Sequence, residues 1–267
     1  MIVICRNYGR VGGGGTVTQL QAIILGSLAG LTIFLGLPVA RLRLASLRYL
    51  SLLNASAIGI LLFLFIEVME HAIAPVEEAL EEGEAGFLLL LLTVALGFGA
   101  GLLSLVYYGQ HVLRGGDSAR RLALLIAVGI GLHNFSEGLA IGSSGRAGEL
   151  ALALTLVIGF GLHNATEGFG IAAPLAIEKD VSWGFLSLCG LIAGGPTFLG
   201  TLVGFSYTSE LLSVLFLALA GGAIIYVINE LFGAGRKLGA PAWAGWGITA
   251  GMLLGFTTEF LLEALGG

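Results

Sequence analysis

Two copies of one short pattern hold the residues best suited to chemistry. Leu132-His133-Asn134-Phe135-Ser136-Glu137-Gly138 and Leu162-His163-Asn164-Ala165-Thr166-Glu167-Gly168 both read LHNxxEG, thirty residues apart. In a helix, residues i and i+4 share a face, so His133 stands with Glu137 and His163 with Glu167. Asn134 and Asn164 each precede their glutamate by three positions and lie beside it. Two neutral imidazoles and two carboxylates sum to a charge of about −2, which one divalent cation neutralises. Two nitrogen and two or more oxygen ligands suit Zn²⁺, and also Fe²⁺, Mn²⁺, Co²⁺ or Cd²⁺. The bland alternative is a pair of buried His–Glu hydrogen bonds that hold two helices together. Duplication on consecutive elements weighs against it, because inverted elements meeting within a membrane are the usual setting of a transport site.

The elements that must position these residues follow from composition. The 267 residues are 57% hydrophobic and 11% charged, against roughly 25% charged in soluble domains. Mean hydropathy is +0.98. So few charges cannot cover that much apolar surface in water. The formal net charge of −5 provides no basic field for nucleic acid. Cys5 and Cys189 form neither a disulfide framework nor a CxxC motif. A spanning helix needs about 20 mostly apolar residues, and eight stretches qualify. They are Leu20–Ala40, Leu50–Ala74, Gly86–Tyr108, Leu122–Gly142, Leu150–Ile177, Trp183–Phe205, Leu211–Phe232 and Trp243–Ala264. The runs are continuous rather than alternating, which selects helices over a β-barrel. The expected fold is therefore an all-α polytopic membrane protein with eight transmembrane helices in one domain, residues 1–267. The fifth stretch is the longest, and Pro174 is placed to bend or end it.

Basic residues set the orientation. Arg41, Arg43, Arg48, Arg114, Arg120, Arg121, Lys179, Arg236 and Lys237 follow odd-numbered spans, which puts nine of the twelve bases on one side. The other side has Arg6, Arg10, Arg146 and the acidic run Glu77, Glu78, Glu81, Glu82 and Glu84. The basic side is assigned to the cytoplasm, and eight spans then leave both termini outside. The membrane is most simply the plasma membrane. Met1–Gly15 has too few apolar residues before Arg6 for a signal-peptide core, and Gly12–Gly15 reads as a flexible leader.

Other polar residues interrupt the apolar runs. Glu67, Glu70 and His71 lie toward the outer end of span two, before Pro75. Glu67 is deep enough to contribute to the metal site, and Glu70 and His71 are placed along an entry path. The acidic run beyond them reads as a solvated loop. Glu230 near the inner end of span seven is an exit-side candidate, or else an interfacial anion paired with Arg236 or Lys237. Glu259 has no evident role, His111 reads as a loop residue, and Cys189 as a small apolar packer. Glycines four apart, such as Gly26/Gly30, Gly190/Gly194 and Gly247/Gly251/Gly255, line helix faces and permit close approach. A glycine-lined face is also compatible with a homodimer.

HNFSEG on span four, HNATEG on span five and GGAIIYVINEL in span seven resemble the ZIP (Zrt/Irt-like protein) metal transporters. The resemblance extends over the chain in span number and topology. It implies movement of Zn²⁺ or a related divalent metal toward the cytoplasm. It implies a 3+2+3 inverted-repeat arrangement: about 20–108 as the first three-helix repeat, 122–177 as the central metal-binding pair and 183–264 as the second repeat. It further implies an elevator-type motion of the metal-bearing helices against a scaffold. By position, His133, Glu137, His163 and Glu167 match the family's primary ligands. Asn134 and Asn164 match a second, adjacent site. Glu67 falls near the span-two ligand, and Glu230 matches a carboxylate on the cytoplasmic route.

Departures bear on this. Many relatives have Pro before the motif glutamate, where this chain has Ser136 and Thr166. Many carry a carboxylate before the span-six Pro, where this chain has Gly195 before Pro196, so one strong site is expected rather than a full binuclear centre. Two other classes use the same ligands. An intramembrane zinc metalloenzyme would need an open coordination position, but HExxH spacing is absent, so no enzymatic activity is expected. A passive metal channel or a sensor would need only the ligands.

Overall fold

In the computed structural model, residues 17–41, 46–111, 118–148, 150–178, 180–207 and 209–266 are described. Within them, side chains at 118, 150–152, 155, 163, 177, 262, 263, 265 and 266 lie outside the description. Among the described residues there is no strand. The helices are α1 (Gln19–Leu31), α2 (Leu47–Glu81), α3 (Phe87–His111), α4 (Ser118–Arg146), α5 (Leu150–Ala172), α6 (Trp183–Ser206), α7 (Glu210–Leu238) and α8 (Pro241–Gly266). Among the described residues, six segments are long and apolar enough to cross a membrane: Gln19–Arg41, α2, α3, Ala119–Arg146, α6 and α7. The protein is an α-helical polytopic membrane protein.

Local chemistry sets most helix ends. Thr18 caps α1, accepting from Gln21 N while the Gln21 side chain accepts from Thr18 N at 2.8 Å. Ser182 and Ser209 cap α6 and α7 through Phe185 N and Leu212 N. Gly239 ends α7 with φ +65°, a conformation that disfavours other residues, and Pro241 opens α8. Trp183, Trp243 and Trp246 all fall in the first turns of α6 and α8. The Arg41 guanidinium lies 5.0 Å from the Trp183 ring centre, a cation–π contact. Such aromatic residues favour the membrane–water interface.

The first span runs from Gln19 to Arg41 as expected; a turn at Thr32 separates α1 from a further helical turn, Ile33–Gly36, and a 3₁₀ turn, Leu37–Arg41, containing Pro38, closes it. Three other expectations need correction. The second element, not the fifth, is the longest, at 35 residues. It runs through Pro75 to Glu81, so Glu77, Glu78 and Glu81 are helical rather than in a loop. A proline inside a spanning helix is tolerated where packing compensates for the lost hydrogen bond, and Pro75 is buried. His111 is the last residue of α3, stacked on Tyr107 with ring centres 4.3 Å apart, rather than a loop residue. Pro174 behaves as expected: α5 stops at Ala172 and a 3₁₀ turn, Ala173–Ile177, follows.

Packing divides the helices into two groups. Within the first, α4 lies along α6, and α1 crosses both α5 and α6. Within the second, α2 lies along α8, α3 along α7, and α2 also meets α7. Glycines make these contacts close. A methyl on Gly138 or Gly142 would overlap the Thr197 or Thr201 carbonyl, and one on Gly200 or Gly204 the Phe135 or Leu139 carbonyl. Gly247, Gly251 and Gly255 meet α2 at successive turns, at Leu52, Ser56 and Phe63, so α2 and α8 run parallel. Among the described glycines, every backbone approach of this closeness falls inside one group. Between groups the nearest atoms are side chains: a Cβ on Gly129 would sit 3.2 Å from Val227 Cγ2, a tight contact, and one on Gly170 3.7 Å from Ala57 Cβ, an ordinary one.

Gly138→Ala and Gly200→Ala should each lower stability by about 1–3 kcal/mol through overpacking. Gly195→Ala, with nothing within 4 Å of the added carbon, should be neutral or stabilising by up to about 1 kcal/mol. Thermal unfolding of the detergent-solubilised protein, followed by tryptophan fluorescence, checks the contrast; equal melting temperatures would contradict the packing account.

Candidate metal centre

The first motif sits midway along α4 and the second in the later half of α5. Both helices belong to the same packed group, which buries their polar residues. His133 is 5% exposed, Glu137 4%, Glu167 1%, and Asn134 and Asn164 0%. The i, i+4 spacing brings His133 Nε2 to 3.2 Å from Glu137 Oε1, as the sequence implied. Asn164 crosses from α5 to reach the other oxygen, donating from Nδ2 to Glu137 Oε2 at 3.3 Å. Glu167 lies within electrostatic range of Glu137, with Asn134 beside its carboxylate. His163 has its backbone in α5, but its side chain falls outside the described residues.

Both asparagines also hold neighbouring backbone. Asn164 Nδ2 donates to Ala29 O on α1 at 3.1 Å, and Asn134 Nδ2 to Ala193 O on α6 at 3.0 Å. Each motif helix is thereby tied to a different outer helix through the same position of the motif. With the amide nitrogens used this way, Asn134 Oδ1 and Asn164 Oδ1 stay buried and accept no hydrogen bond among the described residues. A buried acceptor without a donor costs about 1–3 kcal/mol.

Glu67 of α2 is half-buried, with Oε2 buried and accepting no hydrogen bond among the described residues. It lies within electrostatic range of Glu137 and Glu259. His71 Nδ1 is 2.7 Å from the Glu67 carbonyl, within its own helix. A cavity of about 320 Å³ has Glu67, His71, His133 and Glu137 in its wall. It runs toward the ends of α4 and α6 and the start of α7, at Ser143, Tyr207 and Glu210. Glu70 is exposed and does not line this cavity. A second cavity, of about 530 Å³, lies at the opposite helix ends. Glu230, Asn54, Arg121, Arg236 and Lys237 line it, and no motif residue does. Glu230 lies beside Tyr226, and Arg121 of α4 adjoins the same tyrosine.

Among the described residues no three His, Cys, Asp or Glu side chains are grouped closely enough to hold an ion. What is assembled is the His133–Glu137 pair with both asparagines, while Glu167 and Glu67 lie near it.

Sequence reasoning missed the neighbourhood of Glu259. Its signal was present: Gly247, Gly251, Gly255 and Glu259 continue one face at steps of four, and that face packs on α2. The turn that follows the Gly255–Phe63 contact brings Glu259 within electrostatic range of Glu67. No protein-family model matches the chain, and no curated protein matches it either.

Replacing Asn134 or Asn164 with leucine, close in shape but unable to donate, should cost about 1–2 kcal/mol each. Melting of the purified variants reads this. A melting temperature unchanged from wild type would mean the amides do not tie the motif helices to α1 and α6.

Proposed function

We propose that the protein is a divalent-metal transporter of the ZIP type, carrying Zn²⁺ or a related ion across the plasma membrane toward the cytoplasm. The observation that carries this reading is the buried cluster of acceptors at the crossing of α4 and α5. His133, Glu137, Asn164, Asn134 and Glu167 are almost wholly removed from water, and ionisable groups inside a membrane are costly unless used. The donor set of nitrogen and oxygen suits borderline divalent ions. His163 would complete the primary set from α5.

The architecture supports the finer assignments. All eight helices are read as spans in a 3+2+3 inverted repeat, with both termini outside. Exchanging α1–α3 for α6–α8 and α4 for α5 turns each principal packing into another observed one. The α2–α8 pair becomes α7–α3, α4–α6 becomes α5–α1, and Asn134 to Ala193 becomes Asn164 to Ala29. In this reading the cavity at Ser143 and Tyr207 faces outward and the one at Glu230 faces the cytoplasm. The metal enters past His71 and Glu67, exchanges water for His133 and Glu137, and is released near Glu230 after α4 and α5 move. An elevator-type motion is supported by the packing boundary, since α1, α4, α5 and α6 interlock with one another and meet the remaining helices through side chains. Ligation must be reversible for conduction, which favours oxygen and imidazole over thiolate.

The test is zinc entry into proteoliposomes holding an internal fluorescent indicator. Wild type should give saturable entry. Glu137→Ala, His163→Ala and the double variant Glu137→Ala/Glu167→Ala should insert normally and lose entry. Wild-type rates in these variants would refute the ligand assignment. Zinc bound by folded wild type without any entry would move the protein to the metalloenzyme or sensor class.

A further inference from the structure

Helical serines and threonines in this protein usually return their hydroxyls to their own backbone. Ser27, Ser56, Ser144, Thr201 and Ser206 all donate to the carbonyl four residues earlier, at 2.7–2.9 Å. Two buried hydroxyls have no hydrogen-bond partner among the described residues, those of Ser136 and Thr197. Thr197 is explained by packing: it is wedged against α1, where its Oγ1 would lie 3.1 Å from a Cβ on Gly30. Ser136 has no such explanation. It is 9% exposed and lines the 320 Å³ cavity together with His133 and Glu137. Positions 133, 136, 137, 140 and 144 form one face of α4, and that face is the cavity wall. A hydroxyl that gives up its local bond forgoes about 0.5–1.5 kcal/mol, and this one does so beside two candidate ligands.

We propose that the Ser136 hydroxyl is a further oxygen ligand of the transported cation, replacing one water as the ion passes from the cavity to the His133–Glu137 pair. The inference rests on the transport reading above. Ser136 adds a neutral, hard oxygen to the set. It therefore favours ions that prefer oxygen, such as Mn²⁺, over softer ions such as Cd²⁺. The same position in the second motif holds Thr166, another hydroxyl.

Metal binding by the purified full-length chain tests this, with melting temperature confirming that each variant is folded. Ser136→Ala should weaken Mn²⁺ binding about two- to tenfold, the equivalent of one modest polar contact, and change Cd²⁺ binding less. Ser136→Cys should give a new thiolate-to-metal absorption band with Co²⁺. Wild type already carries Cys5 and Cys189, so the difference spectrum isolates the introduced thiol. Co²⁺ bound by wild type, with Ser136→Ala unchanged in affinity and selectivity and no new band in Ser136→Cys, would overturn the ligand role alone. Wild type that binds neither Co²⁺ nor Mn²⁺ would overturn this role and the transport reading together.

Discussion

A polar group inside a membrane must find its partner within the protein, and in this chain one amide meets that demand for two helices at once. Asn164 donates to the Ala29 carbonyl of α1 and to the Glu137 carboxylate of α4. Ala29 lies just before the break at Thr32, whose own N–H and hydroxyl also turn back to the Ala29 carbonyl. Asn134 repeats the device on α6, at the Ala193 carbonyl three residues before Pro196. In both cases the asparagine joins a motif helix to an outer helix close to an irregularity. The cost of burying the motif residues is thereby coupled to the geometry of α1 and α6, and the position of His133 and Glu137 depends on that tie.

Close packing follows from the same environment. Lipid tails are as apolar as leucine, so helices gain little by hiding apolar faces from them and associate instead through shape and backbone proximity. Glycine supplies the proximity. Along α4 and α6 the carbonyls of Phe135, Leu139, Thr197 and Thr201 approach positions that only glycine can occupy. Pro196 cannot donate an N–H to the Ile192 carbonyl, and that carbonyl is the one that closely approaches Gly131. The helix carrying the first motif is thus keyed to its neighbour over several turns.

Much of this was legible in the sequence, and the reasons are local. The His133–Glu137 contact follows from helical spacing, and the ends of α5 and α7 follow from Pro174 and Gly239. Helix membership at Pro75 and the break at Thr32 were not legible, because both depend on what packs against the residue rather than on its own propensity. The Glu67–Glu259 proximity required the register between α2 and α8. The glycine stripe named the face of α8 but not its partner. Ser136 read as a missing proline; its significance appears only when its hydroxyl is found buried without a backbone bond, on a residue of the cavity wall.

The two cavities turn these constraints into a statement about access. The one that includes His133 and Glu137 opens toward Ser143 and Tyr207, while the one at Glu230 includes no motif residue. On the transport reading proposed above, connecting the site to the second cavity requires a change between the groups, because α4 contributes Arg121 to that cavity while α7 contributes Glu230, Arg236 and Lys237. Within a group such a change would drive backbone into backbone at the glycine contacts. Between groups only side chains such as Val227 and Ala57 must repack. On that transport reading, the least costly route to the other side therefore carries the motif helices, with α1 and α6 attached, past α2 and α7.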